Sequence, residues 1–181
     1  MHIFYLLRHA QSQPSDLPDP EWPLSELGRQ QAQALIPALQ RLKLTHLFSS
    51  PYPRAVDTLA PFAKAAGIEI KLDERLRERK LSTQLLDNWQ ELLEKSWRDF
   101  DFALPGAESS RQCQARMVEC IEEHRLAHAD GTCLFAGHGN AIALYLNHID
   151  PEVNFARWQA LKNPDLIVVN LKKKMYRSIS V

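Results

Sequence analysis

Apolar residues arrive in short blocks, and the period inside the blocks switches between that of strands and that of helices. His2–Leu7 is nearly all apolar and β-rich, which predicts a strand buried on both faces. Residues 13–24 carry Pro14, Pro18, Pro20 and Pro23 and read as a loop. Ser25 then stands as an N-cap before Leu27, Ala32, Leu35, Ile36, Leu39 and Leu42 at helical spacing, and Pro37 inside that pattern predicts a kink or a break. "THLFSS" reads as a second strand, and Tyr52–Ala66 as a helix closed by Gly67. "IEIKL" alternates, as expected of a third strand nearer a sheet edge.

Residues 73–107 break the rhythm, being charged, aromatic and irregular, with one helix expected from about Asn88 to Trp97. "PGAES" opens a long helix to about Ala129, and "TCLFAG" forms a fourth strand. "HGN" and an apolar helix over Ala141–His148 follow, and "DLIVVNL" and "KMYRSIS" end the pattern as two strands suited to a hairpin. Alternating strands and helices predict an α/β fold with a mostly parallel central sheet and helices on both faces, a three-layer α/β/α sandwich. No internal repeat or linker divides the chain, so residues 1–181 are expected to form one domain, with 73–107 as a small cap over a site.

Composition narrows the choice of function. The 181 residues hold 22 Lys+Arg and 22 Asp+Glu, a formal net charge of zero. No global field then favours nucleic acid or an acidic membrane, and any anion site must be built locally. Cys113, Cys120 and Cys133 are odd in number and form no CxxC pair, which points to free thiols in a reducing compartment. No apolar run is long enough to span a bilayer and "HIFYLL" reads as a strand rather than a signal peptide, so a cytoplasmic location is expected.

The chemistry gathers where the strands end. Ligands of open α/β sheets bind at the carboxyl ends of strands. Strand one is followed by Arg8 and His9, strand two by Ser49, Ser50 and then Arg54, and strand four by Gly137, His138 and Gly139. Two histidines and two arginines thus share one kind of position on three strands. Arginine presents a planar fork of donors to phosphate oxygens, and helix N-termini add N–H groups and a favourable dipole. A neutral histidine is a competent nucleophile toward phosphorus. A carboxylic acid is needed to protonate the departing oxygen, and "DERLRERK" offers Glu74 and Glu78. There is no Asp-rich metal cage and no P-loop lysine motif, so no metal and no cofactor is expected. His124 and His128, four apart, lack an evident third ligand and read as a solvated helical face.

Six segments in order resemble the histidine phosphatase, or phosphoglycerate-mutase-like, superfamily. They are "LLRHAQS", "PLSELGRQQA", "SSPYPRAVDT", "LRE" at Leu76–Glu78, "PGAES" and "AGHGN". The resemblance implies a phosphoglycerate-mutase-like fold and a small-molecule phosphomonoester as substrate. It implies His9 as the residue that becomes a phosphohistidine, with Arg8, Arg54 and His138 holding the phosphoryl group. It selects Glu78 as the acid, which spacing alone leaves open. Ser12, Ser15, Gly139 and Asn140 are implied as further substrate contacts, and Glu108 as a residue that orients charges near the site. The chain also departs from the pattern. Ala10 replaces a glycine of the first signature and is strained if the backbone there needs positive φ. Ser15 stands where many relatives carry Asn, Asn140 where Gly is common, and "RKLSTQLLDNW" replaces a Gly-x-x-Glu-Gly element. The reading is a metal-independent phosphomonoesterase. A phosphoglycerate mutase is the alternative within enzymes, and a non-catalytic phospho-ligand binding module the alternative outside them. Trp89, Trp97, Phe100 and Phe102 are open between a substrate cap and ordinary core packing.

Overall fold

A computed structural model of the chain describes residues 2–16, 18–83 and 88–180. Six strands make one sheet in the order β3-β2-β4-β1-β5-β6. β1 (Ile3–Arg8), β2 (His46–Ser49), β3 (Ile70–Leu72) and β4 (Cys133–Gly137) run parallel, and β5 (Asp165–Asn170) and β6 (Met175–Ile179) close the far side as an antiparallel hairpin. β1 lies between β4 and β5, so both of its edges are paired, and a core lies against each of its faces, as its unbroken apolar run requires. The register pairs Arg8 with Gly137 on one side and with Asp165 on the other. The ends of β1 and β4 are thereby level, and the residues after them emerge together.

Each face of the sheet carries its own core. On one face α1 (Glu26–Ala34), α2 (Ile36–Gln40) and α3 (Pro53–Ala66) bury Leu35, Leu39, Leu59 and Phe62 against Leu7, Leu47 and Leu134. On the other, α4 (Trp89–Arg98), α5 (Ser110–Ala127) and α6 (Gly139–Ile149) enclose Trp97, Met117, Ile121 and Tyr145 against Phe4, Leu6, Phe48 and Phe135. The break predicted at Pro37 is real: α1 ends before Leu35 and Pro37 sits in the first turn of α2, where its missing N–H costs nothing. Gly67 closes α3 in the left-handed conformation. α5 opens with a full capping box between Ser109 and Gln112. A short helix, α7 (Phe155–Gln159), has no counterpart in the sequence pattern, because its five residues are too few to show a period.

The stretch 73–107 holds a 3₁₀ turn at Glu74–Leu76, an irregular segment through Thr83 and α4. Residues 84–87, which belong to the expected cap, lie outside the described residues. Within the stretch Trp97 is core and Trp89 is 44% exposed. One sequence expectation fails. His124 is not on a solvated face: its ring stacks on Phe48 at 4.0 Å, and its Nε2 lies 2.8 Å from Asp73 Oδ2. A helical period marks which face a residue occupies, but not that β3 ends in an acid facing it. The three cysteines are free and buried. Among the described residues no helix is long and apolar enough to cross a membrane.

Candidate active site

Arg8, His9, Arg54, Glu78 and His138 converge at the carboxyl ends of β1, β2 and β4. His9 leaves β1 with its N–H donating to Gly137 O at 3.0 Å, which keeps the first residue beyond the strand on the sheet's axis. Its side chain is 8% exposed. The Nδ1 atom lies 2.7 Å from Ala10 O. A carbonyl only accepts, so Nδ1 carries the proton and Nε2 keeps its lone pair. Burial, joined by the charges of Arg54 and Arg8, pushes the His9 pKa down to about 3, although the bond to Ala10 O works the other way. The imidazole is therefore neutral across the ordinary range.

His138 follows β4 and stands at the N-cap of α6, fully buried, with its ring centroid 5.2 Å from that of His9. Its Nε2 is 2.8 Å from Ser50 Oγ, which also accepts the Tyr52 N–H. Its Nδ1 is buried and unpartnered. Burial, then the neighbouring His9, Arg54, Arg116 and Arg8, holds its pKa well below the usual histidine range.

Two guanidinium groups flank this pair. Arg8 Nη1 donates to Leu161 O at 2.7 Å, and its Nε is buried without a partner. The group lies against Gly139: a Cβ built there would stand 2.9 Å from Arg8 Cζ, so any larger residue would push the guanidinium aside. Arg54 enters on the first turn of α3, 3% exposed, with its Cζ 5.1 Å from the Tyr52 ring. Asp19 satisfies it from the proline-rich loop. The Asp19 carbonyl accepts from Nη1, and its carboxylate accepts from Nη2 at 3.1 Å.

Glu78 is fixed by the backbone of α6. Its Oε2 accepts from Asn140 N–H at 3.1 Å, and its Oε1 accepts from Ala141 N–H at 2.9 Å and Arg79 N–H at 2.8 Å. Glu74 instead faces solvent and pairs with Arg77 at 3.2 Å. Glu108 grips Arg116 through two bonds of 2.6 and 2.8 Å, and Arg116 in turn donates to the carbonyls of Arg75 and Arg77. That clamp fixes the segment on which Glu78 is carried.

The loop after His9 is held from below. Ala10 N–H donates to Thr58 Oγ1 at 2.9 Å, and the same hydroxyl donates to Arg54 O at 2.6 Å, tying the first signature to the third. Ala10 is buried and is not among the positive-φ residues, so its Cβ carries no strain there. Gly28 lets α1 press onto the Gln11 carbonyl, where a Cβ would stand 2.0 Å from the oxygen. Ser12 pairs with Leu24 in an isolated bridge, and Ser15 is exposed on the same loop. Asn140 is buried with an unpartnered Oδ1.

Sequence reasoning missed Asp19, which no spacing connects to Arg54. It also missed Arg79, a buried guanidinium that donates to Ser96 Oγ, Ser110 Oγ and Glu108 O and so binds the acid's segment to α4 and α5. Beyond Glu78 opens a cleft of about 810 Å³, lined on its described sides by residues of three connecting segments and by Trp89. One group among the described residues has donors close enough for a metal ion: Asp73, Cys120 and His124, with ligand atoms within 4.8 Å of one another. Arg75 already occupies both oxygens of Asp73 at 3.0 and 2.7 Å.

Comparison with known proteins bears on the family and the fold. The model of the histidine phosphatase superfamily, branch 1, matches residues 4–179. A probable phosphoglycerate mutase, GpmB, of Escherichia coli O1:K1 is 29% identical over 158 residues, covering 80% of this chain and 73% of the relative. The solved complex of a mycobacterial glucosyl-3-phosphoglycerate phosphatase with inorganic phosphate superposes with a TM-score of 0.76 at 26% identity, covering 99% of this chain and 96% of the other. The fold is also that of Bacillus stearothermophilus YhfR, with a TM-score of 0.78 at 21% identity over 97% of this chain and 94% of the other.

Proposed function

This chain belongs to the histidine phosphatase superfamily, and we propose that it hydrolyses small phosphomonoesters without a metal, through a phosphohistidine on His9. The observation that carries the reading is the His9 tautomer. Nδ1 is tied to Ala10 O, so the free lone pair is on Nε2, in a buried site flanked by two guanidinium groups and a second histidine.

In the first step the Nε2–phosphorus bond forms and the bond from phosphorus to the ester oxygen breaks. Glu78, in its acid form, gives its proton to the departing alcohol. Arg8 and Arg54 face the phosphoryl oxygens, where negative charge is held through the transition state. A Ser50 hydroxyl donating to His138 Nε2 leaves the Nδ1 proton of that ring for a third oxygen. In the second step water attacks phosphorus, Glu78 takes its proton, and His9 leaves as neutral imidazole. Asp19 occupies Arg54 in the free protein, so the incoming phosphoryl group must replace its carboxylate.

The test is release of nitrophenol from p-nitrophenyl phosphate in the presence of a chelator. Wild type is expected to turn over from acidic to neutral pH. No turnover in that range leaves a phospho-ligand binding module. The curated relatives named as mutases give a second reading its one support. Isomerisation of 3-phosphoglycerate outpacing phosphate release would establish it instead.

A further inference from the structure

Glu78 lines the cleft, and its carboxyl is held by the Asn140 and Ala141 N–H groups, at the helix start that follows His138. If Glu78 protonates the departing oxygen, whatever hangs from that oxygen extends into this cleft. The inference therefore rests on the hydrolase reading. A volume of about 810 Å³ is on the scale that holds a drug-sized ligand, roughly 300–1,000 Å³, and far exceeds the needs of a three-carbon acid.

Three aromatic rings stand among its described lining residues. Trp22, Tyr52 and Trp89 line it, from the proline-rich loop, the β2–α3 turn and the start of α4, with Pro18, Pro20 and Leu81 between. Tyr52 marks the end next to the chemistry, since its ring touches His138 at 4.9 Å and lies beside Arg54. Trp89 is 44% exposed although it is a large apolar side chain at the mouth of a cleft. Cations for a second anionic group are scarce there. Arg79 is spent on Ser96, Ser110 and Glu108 O, and among the described lining residues the one other cation is Lys80, on an exposed position. Asp19 lines the same space, and its carboxylate would repel a carboxylate on the substrate.

We infer that the cleft selects phosphomonoesters whose alcohol carries a neutral planar aromatic ring, such as nucleoside monophosphates, over short acids such as phosphoglycerates. Planar groups stack on indole and phenol faces with little dependence on their exact chemistry.

Adenosine 5′-monophosphate and ribose 5-phosphate provide the test. They share a primary-alcohol leaving group, so a difference between them reports the base and not the chemistry. Wild type should show kcat/KM at least about tenfold higher for the nucleotide, the effect of one ring stack, and a value for 3-phosphoglycerate below both. In Trp89→Ala and Trp22→Ala the nucleotide-to-ribose ratio should fall toward one, with unchanged thermal melts showing that the variants fold. Equal rates for the two esters, preference for 3-phosphoglycerate, or a ratio that survives both substitutions would overturn the inference while leaving the hydrolase reading intact. No hydrolysis of these esters or of p-nitrophenyl phosphate would remove the reading itself, and the inference with it.

Discussion

A neutral, buried His9 makes acid a selective destabiliser of this fold. In the unfolded chain the imidazole has a pKa near 6.5, whereas in the folded protein burial and the neighbouring guanidinium groups lower it to about 3. Between these values the unfolded state binds a proton that the native state refuses. Stability then rises with pH, and it is lost as pH falls below 6.5 until the native histidine itself protonates. For this single group the loss from pH 7 to pH 5 is about 2 kcal/mol. His138 is shifted in the same direction and adds to it. The perturbation that isolates the first contribution is His9→Ala. Urea unfolding at pH 7 and pH 5, on wild type and variant, gives two differences. The wild-type difference should exceed that of the variant by about 2 kcal/mol, a change in midpoint readily resolved at an ordinary urea slope. Equal acid sensitivity of the two proteins would refute the buried neutral imidazole, because the substitution removes that titrating group.

Further substitutions probe the remaining parts of the site. Glu78→Gln should lower kcat by roughly 10²–10⁴, the span for a positioned general acid, with circular dichroism unchanged, whereas Glu74→Gln should leave kcat alone because that side chain pairs with Arg77 in solvent. Gly139→Ala puts a methyl 2.9 Å from Arg8 Cζ, and steady-state kinetics should show kcat/KM falling at least about tenfold, since ångström-scale misplacement of a positioning group is costly. Asp19→Asn removes the carboxylate that competes for Arg54, and KM should fall by up to about fivefold, the scale of a weak ion pair whose carboxylate is half-exposed. Ala10→Gly should lower unfolding stability by about 1 kcal/mol, through a lost buried methyl and a freer unfolded chain; a gain would mean that the backbone at position 10 does want glycine.

The strand ends were legible because the physics there is one-dimensional. A buried central strand must be apolar throughout, so the first charged residues after it, Arg8 and His9, mark its carboxyl end. The same holds for Ser50 after β2 and His138 after β4. Pro37 and Gly67 gave their breaks through local backbone chemistry. The identity of the acid was not legible in this way. Glu74 and Glu78 share one charge run, and what separates them is the N-terminus of α6, whose amides hold Glu78 and lie more than sixty positions away. Asp19 and Arg79 were invisible for the same reason, since each is defined by a partner brought close only by the fold. His124 misled because a helical period reports a face and not what lies across from it.

The central claim is a covalent phosphoryl group on His9. Wild type mixed with p-nitrophenyl phosphate, quenched in alkali within the first turnover and digested for mass spectrometry, tests it most directly. The account predicts a peptide spanning His9 that is heavier by one phosphoryl group, with the modification placed on that histidine and absent from His9→Ala, which also stops releasing phosphate. A His9→Ala protein that keeps full turnover, or a wild type that turns over with the label on another residue, would contradict it.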